Sequence, residues 1–290
     1  MDVRNFIDLH VHIGPEVFPR KFTVPQIINA EKGKIKGMAL KNHFYPTLPL
    51  IKSEPEPEDF ILIGSVTLNN YLGGLNPDVI YGSAQLSKRP IIVWFPTINS
   101  ENFLKRSSHE IPSEWVGKGF VSRPSHEIRG ISIVNKKGVL TDETIQVLKA
   151  IKENNCILAT GHVSWQEAKL LVESALKMGI NKIIVTHPIY QLIDMPVEIQ
   201  KELVQGKGVY LEHNFAMYLI DKVPIEKIAE QIKYVGADNC ILSSDMGQIN
   251  SPAPSEALKK FTELLNQEGI TEEELKIMGE QNPRKLIGEL

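Results

Sequence analysis

Histidine and aspartate recur where runs of apolar residues end. The first run closes with Asp8-Leu9-His10-Val11-His12. Later ones close with Lys41-Asn42-His43, Thr160-Gly161-His162, Thr186-His187-Pro188, Glu212-His213 and Ser243-Ser244-Asp245. Six of the eight histidines stand at such ends, which composition alone does not produce. Side chains alternate along an extended strand, so residues two apart share a face. His10 and His12 then project to one side, where two imidazoles can chelate one divalent cation without loop movement. The same spacing sends Lys41 and His43 one way, toward a metal or a substrate anion; the plainer alternative pairs Lys41 with a neighbouring acid. Glu212 and His213 are adjacent and face opposite sides. Glu212 is favoured as a metal ligand or a group supporting one, and His213 as a residue against the helix layer. The competing reading of all these histidines is that they cap strand ends by bonding backbone carbonyls.

The elements that must hold these groups are short apolar strands, expected at residues 6–12, 38–43, 61–68, 91–95, 157–163, 182–187, 209–214 and 241–245. Most are continuous apolar runs, as parallel strands buried on both faces require. Amphipathic helices lie between them. The clearest begins at Ser164, where Ser164 and Glu167 form a capping-box pattern, carries Ala168, Leu171, Val172, Ala175 and Leu176 on one stripe, and stops at Gly179. Residues 141–154 and 255–267 read as further helices, and 271–290 as a closing helix pair. Eight strands separated by helices predict an α/β fold, a closed (β/α)8 TIM barrel spanning residues 1–290 as one domain. Residues 98–137 break the pattern and read as a lid or hairpin insertion after strand four, where Arg106, His109, Trp115, Arg123 and His126 are candidates to line a lid. A short strand pattern at 130–134 leaves two assignments for strand four, itself or 91–95. Tyr71, Tyr190 and Tyr218 follow strand ends, Trp94 reads as barrel core, and the Asn69–Gly74 turn offers N–H groups to an anion or is simply a turn.

Composition narrows the function classes. The 290 residues are 42% hydrophobic and 23% charged, with a net charge of −3. That is a globular mix without the basic run that nucleic-acid binding needs. The longest apolar runs are too short to span a bilayer, and residues 1–11 do not read as a signal peptide. The two cysteines, Cys156 and Cys240, make neither a disulfide framework nor a CxxC pair. A cytoplasmic protein acting on a small molecule is expected, with no nucleic-acid or membrane partner; self-association into a homo-oligomer is compatible with a helix-coated barrel.

Asp-x-His-x-His on the first strand, single histidines ending strands five and six, and an aspartate ending strand eight resemble the metal-dependent amidohydrolase superfamily. The likeness is nearest to its amidohydrolase-like barrels of unassigned chemistry. It implies a divalent metal, zinc foremost, as one or two ions held by His10, His12, His162, His187 and Asp245, with Asp245 also the general base. Such an ion lowers the pKa of water from about 15.7 to about 7 and polarises a carbonyl or phosphoryl oxygen. The implied activity is hydrolysis of a small amide, cyclic amide or ester. A metal-dependent phosphoesterase and a barrel that binds metal or ligand without turnover are the alternatives. One feature of the superfamily is missing: binuclear members bridge two metals with a lysine or acid near the end of strand four, and neither Phe95-Pro96-Thr97 nor Ser132-Ile133-Val134 offers one. The metal count and any part played by Lys41, His43 or Glu212 therefore stay open at this level.

Overall fold

A computed structural model describes residues 1–55, 57–116 and 120–289. Residues 117–119 of the expected insertion, and Leu290 at the end of the expected helix pair, lie outside the described residues. Nine strand segments run through the chain: β1 (Ile7–His12), β2 (Gly37–Lys41), β3 (Ile61–Ile63), β4 (Ser65–Thr67), β5 (Ile92–Trp94), β6 (Ile157–Ala159), β7 (Ile183–Val185), β8 (Val209–Asn214) and β9 (Cys240–Ser243). They pair in sequence order and always in parallel, β1-β2-β3 and β4 through β9. β3 and β4 are one strand kinked at Gly64, whose carbonyl still accepts from Ile92 N at 3.1 Å. Leu48, on the short helix after β2, packs so tightly on the kink that a Cβ at Gly64 would lie 2.1 Å from its Cδ1. The eight expected strands are therefore all present.

The chain closes on itself where the segment after β9 meets β1. Asp245 N donates to His10 O at 2.9 Å and His12 N donates to Met246 O at 2.7 Å. Below this seam the barrel is filled rather than hollow. Ile7, Leu9, Ala39, Ile61, Ile63, Ile92, Trp94, Ile157, Ala159, Ile184 and Ile241 form one buried apolar cluster. Trp94 belongs to it, as its place in an apolar run predicts. The outward strand faces pack against the helices in a second, larger cluster.

Twelve α-helical segments lie around the strands among the described residues, the first four being α1 (Val24–Glu31), α2 (Leu48–Lys52), α3 (Pro77–Ala84) and α4 (Glu101–Arg106), with α7 (Val197–Leu203), α8 (Phe215–Leu219) and α9 (Ile225–Val235) following β7 and β8. Of these, α5 (Asp142–Glu153) and α6 (Trp165–Lys177) match the amphipathic patterns, and the Ser164–Glu167 capping box of α6 is present in both directions. Such a cap stabilises a helix by about 1 kcal/mol. α10 (Pro254–Gln267) is tied to the first helix, where Ser255 N donates to the buried Glu31 at 2.7 Å. The C-terminal helix pair is instead one continuous run. Its ends, α11 (Glu272–Lys276) and α12 (Asn282–Ile287), are joined by a π turn over Ile277–Gln281. That wider turn rephases the helix so that Leu275 before it, Met278 within it, and Leu286 and Ile287 after it are all buried.

The fourth barrel strand is β5. Residues 130–134 make only isolated bridges, Ser100 with Ile131 and Val134 with Leu140, and belong to the excursion between β5 and α5. They lack the unbroken apolar run of a strand buried on both faces, because Ser132 turns its hydroxyl to Val134 O.

Candidate metal centre

Strict alternation along β1 would defeat the site. Ile7 and Leu9 point into the barrel, so an uninterrupted strand would turn His10 and His12 outward. The register of β1 against β2 shifts between Asp8 and Val11, a bulge-type irregularity. Below the shift Leu9 faces inward; above it Val11 joins the outer core, while His10 meets Trp94, with ring centroids 4.5 Å apart. Irregularities of this kind re-aim side chains next to functional sites. The buried Asp8 carboxylate holds the shift in place, accepting from His10 N at 3.1 Å and, across the seam, from Ser244 N at 3.0 Å. Burial pushes its carboxyl up to about 7.

Barrel closure then sets Asp245 between the two imidazoles. Its Oδ1 is 3.2 Å from His10 Nε2 and 3.0 Å from His12 Nε2. One donor atom from each of the three residues lies within 4.8 Å of the other two, a group able to hold a metal ion. His12 also belongs to a second such group with Glu16 and His43. The backbone is in the left-handed region at Asp245 (φ 56°) and at His187 (φ 23°), a conformation that non-glycine residues adopt mostly where function over-determines them. His162 reaches the same mouth by way of Gly161 (φ +64°), which lies so close to the β5 end that a Cβ would sit 2.2 Å from Phe95 O. His162 and His187 then stand 5.0 Å apart, and His187 stands 6.0 Å from His10, between ring centroids.

The second layer of contacts fixes ring orientation. Glu212 accepts from His10 Nδ1 at 2.9 Å and from Ser243 Oγ at 2.8 Å, which leaves His10 Nε2 as the lone-pair nitrogen facing Asp245. Lys41 Nζ donates to that nitrogen at 3.0 Å and lies 4.1 Å from the Trp94 ring centroid. Arg20 donates to His12 Nδ1 at 3.0 Å, so the His12 proton resides on Nε2, toward Asp245. His43 Nδ1 pairs with Thr97 Oγ1 at 2.9 Å, and its ring stacks on Trp115 at 5.9 Å.

Burial is the dominant electrostatic influence. It holds His10, His12, His43 and His162 well below the ordinary imidazole value, with the nearby Lys41, Arg20 or fellow histidines adding to the effect, and brings His187 down to about 3. All five are neutral at pH 7, the form that binds metals. Burial also raises Asp245 and Glu212, and lowers Lys41 to about 8 against the pull of Asp245 and Glu212. The donor set fits a divalent cation. The imidazoles are neutral and a carboxylate faces two of them. Glu212 orients His10, and the buried Nδ1 atoms of His162 and His187 lack hydrogen-bond partners among the described residues. A cation held here by the Nε2 atoms of His10 and His12 would displace the Lys41 ammonium from His10, and His12 would carry its proton on Nδ1 instead, released from Arg20.

Of the histidines, acids and lysine singled out at the strand ends, His12, Lys41, His43, His162, His187 and Asp245 line this cleft, and His10 and Glu212 lie buried against them. His213 is buried with neither ring nitrogen bonded. Among the insertion candidates only Trp115 lines the cleft. Arg123 instead ties Glu110 to the Tyr71 hydroxyl, Arg106 reaches Gln191 O, His109 bonds Ser108, and His126 is exposed. Of the three tyrosines, Tyr190 lines the cleft. Asn69 bonds His43 O and Thr97 and braces the site from behind. Sequence reasoning missed Arg20, Asp221 and Gln248, which also line it. They sit in loops after β1, β8 and β9, and their only signal is that loops following strand ends crowd the active face of a barrel.

The profile of one protein family matches residues 5–212 of the chain. The chain belongs to DUF6282, a family of unknown function. The match takes in every metal-site candidate of the DUF6282 chain except Asp245. No curated protein matches it in sequence. Among solved structures it is similar to an amidohydrolase from Pseudomonas aeruginosa (TM-score 0.62, 11% identity, 98% of both chains). It is also similar to a dihydroorotase from Campylobacter jejuni (0.56, 14%, all of this chain and 84% of that one). A third likeness is to 2,6-dihydroxybenzoate decarboxylase from Rhizobium (0.52, 11%, 99% of both). At such identities the likeness is one of fold alone, a parallel α/β barrel of the kind expected from the strand and helix pattern. No helix among the described residues is long and apolar enough to cross a membrane.

Proposed function

We propose that this DUF6282 chain is a metal-dependent hydrolase of a small amide, cyclic amide or ester, with one divalent ion, zinc foremost, held by His10, His12 and Asp245 and approached by His162 and His187. The observation that carries the reading is the seam: Asp245 Oδ1 stands 3.0 and 3.2 Å from two imidazole nitrogens supplied by the other end of the chain. A bound divalent cation supplies Lewis acidity there and makes water a stronger acid. Asp245 accepts the proton of the attacking water and passes it to the leaving group. Lys41 sets a positive charge beside the oxygen on which negative charge develops. Glu212 holds His10 in one tautomer, and Trp115, stacked on His43, shields the mouth from bulk water. The two buried free cysteines suit a reducing, cytoplasmic setting.

The test is elemental analysis and turnover on metal-reconstituted protein, with panels of amides, cyclic amides and esters beside phosphomonoesters and aromatic carboxylic acids. One ion per chain and hydrolysis of a carbonyl substrate are expected. Asp245→Asn should keep most of the metal and lose about 10²–10⁴-fold in rate. Turnover of phosphomonoesters alone, or decarboxylation alone, rejects the reading. Two ions per chain place the second with His12, Glu16 and His43. An unchanged rate in Asp245→Asn removes Asp245 as the base.

A further inference from the structure

The cleft changes character above the metal residues. Its outer wall is built by Ala216, Met217 and Ile220 of the helix that follows β8, faced by Trp115, and ends in Asp221. The turn holding Asp221 is fixed: its N–H donates to Ala216 O at 3.3 Å and Val223 N to Met217 O at 2.9 Å. Among the described residues its carboxylate has no hydrogen bond or ion pair. The described cations that line the cleft or adjoin Asp221 in sequence are committed elsewhere. Lys222, next in sequence, donates to Leu219 O at 2.7 Å. Arg20 is held by Glu16 and His12 and lies 4.4 Å over the Phe18 ring, and Lys41 is held by His10 at the barrel floor.

The surroundings hold a spare acceptor: Gln248 Oε1 is buried without a partner among the described residues, while its amide nitrogen bonds Asp245 O at 3.4 Å. Burial, with the neighbouring Glu114 carboxylate adding to it, pushes the Asp221 carboxyl up to about 7. A cleft with an apolar wall and a surplus of acceptors at its rim is complementary to one kind of ligand.

We propose that Asp221 is a specificity-determining residue that receives the ammonium group of a substrate whose apolar body lies along Met217, Ile220 and Trp115. This rests on the hydrolytic reading for its scissile bond, and it sets the substrate class as an amide or ester carrying an aliphatic amine, not one carrying a second carboxylate.

Binding can be read without turnover. Calorimetric titration of the metal-loaded protein with 2-phenylethylamine, 2-phenylethanol and 3-phenylpropanoate separates the charge from the shared apolar body. The amine should bind about tenfold or more tightly than the alcohol, the size of one charge-assisted bond, and the carboxylate weakest. Asp221→Asn should bring the amine down to the alcohol and leave the alcohol unchanged, and Asp221→Lys should reverse the order of amine and carboxylate. Equal binding of amine and alcohol, tighter binding of the carboxylate, no binding of any probe, or an amine preference that survives Asp221→Asn overturns the proposal. Hydrolysis of amine-bearing amides or esters with a KM unaltered in Asp221→Asn sinks this inference and leaves the hydrolase reading standing. Amine-selective binding lost in Asp221→Asn, without hydrolysis of any panel member, does the reverse.

Discussion

Glu212 touches the site through one bond, and that makes it the sharpest probe at the scale of single residues. By accepting from His10 Nδ1 it decides which nitrogen carries the lone pair. Glu212→Gln keeps the shape and the bond to Ser243 but weakens this orienting contact, so metal affinity should fall about 10–100-fold. Competition with a chelator of known affinity measures it, and unchanged affinity removes Glu212 from the support of His10. His213, one residue on, faces the other way and answers a different question. Burial brings its imidazole down to about 4, and neither nitrogen has a partner. The unfolded chain takes up this proton below about 6.5 and the folded one only near 4, so His213 costs stability as pH falls through that window, by up to about 1.4 kcal/mol per pH unit. In His213→Leu the melting temperature should fall less between pH 6.5 and 4 than in the parent; parallel slopes would contradict this. Both residues were legible as a pair with opposed faces because adjacent strand positions always oppose. Asp221 and Gln248 were not, because loop residues carry no periodicity and their value depends on which cations happen to be committed elsewhere.

Among elements, the eight strands were legible because a parallel strand buried on both sides leaves a continuous apolar run. What the run cannot reveal is where it slips. The inward aim of His10 and His12 depends on the register shift between Asp8 and Val11, and nothing in Asp8-Leu9-His10 distinguishes a bulged strand from a regular one. The assignment of strand four was settled only by pairing, since β5 bonds to both β4 and β6 while residues 130–134 bond to neither. Gly161 marks the end of β6 and delivers His162. Gly161→Ala sets a methyl group against the Phe95 carbonyl in a backbone conformation that alanine disfavours. It should destabilise the protein by more than about 1 kcal/mol and lower metal retention along with the melting temperature. An unchanged melt would mean that the β5–β6 ends are looser than their contact distances imply.

For the whole molecule, one small cluster joins the first strand to the last. A ligand that binds only the folded form stabilises it by about 2.7 kcal/mol at a hundred times its dissociation constant. Chelation should therefore lower the melting temperature, and adding zinc back should restore it. The protection should be local as well. Amide exchange at His12 and Asp245, the two donors across the closure, should slow on metal addition more than exchange in α5, on the far side of the barrel. Equal slowing everywhere would favour a diffuse effect over a clasp. Translation adds an order of events to this picture. His10 and His12 leave the ribosome long before Asp245, so a nascent chain carries half a chelator throughout most of its synthesis. On the proposed reading, a product clipped ahead of β9 would keep the two imidazoles and lack Asp245, so activity would certify that both ends of the polypeptide have met.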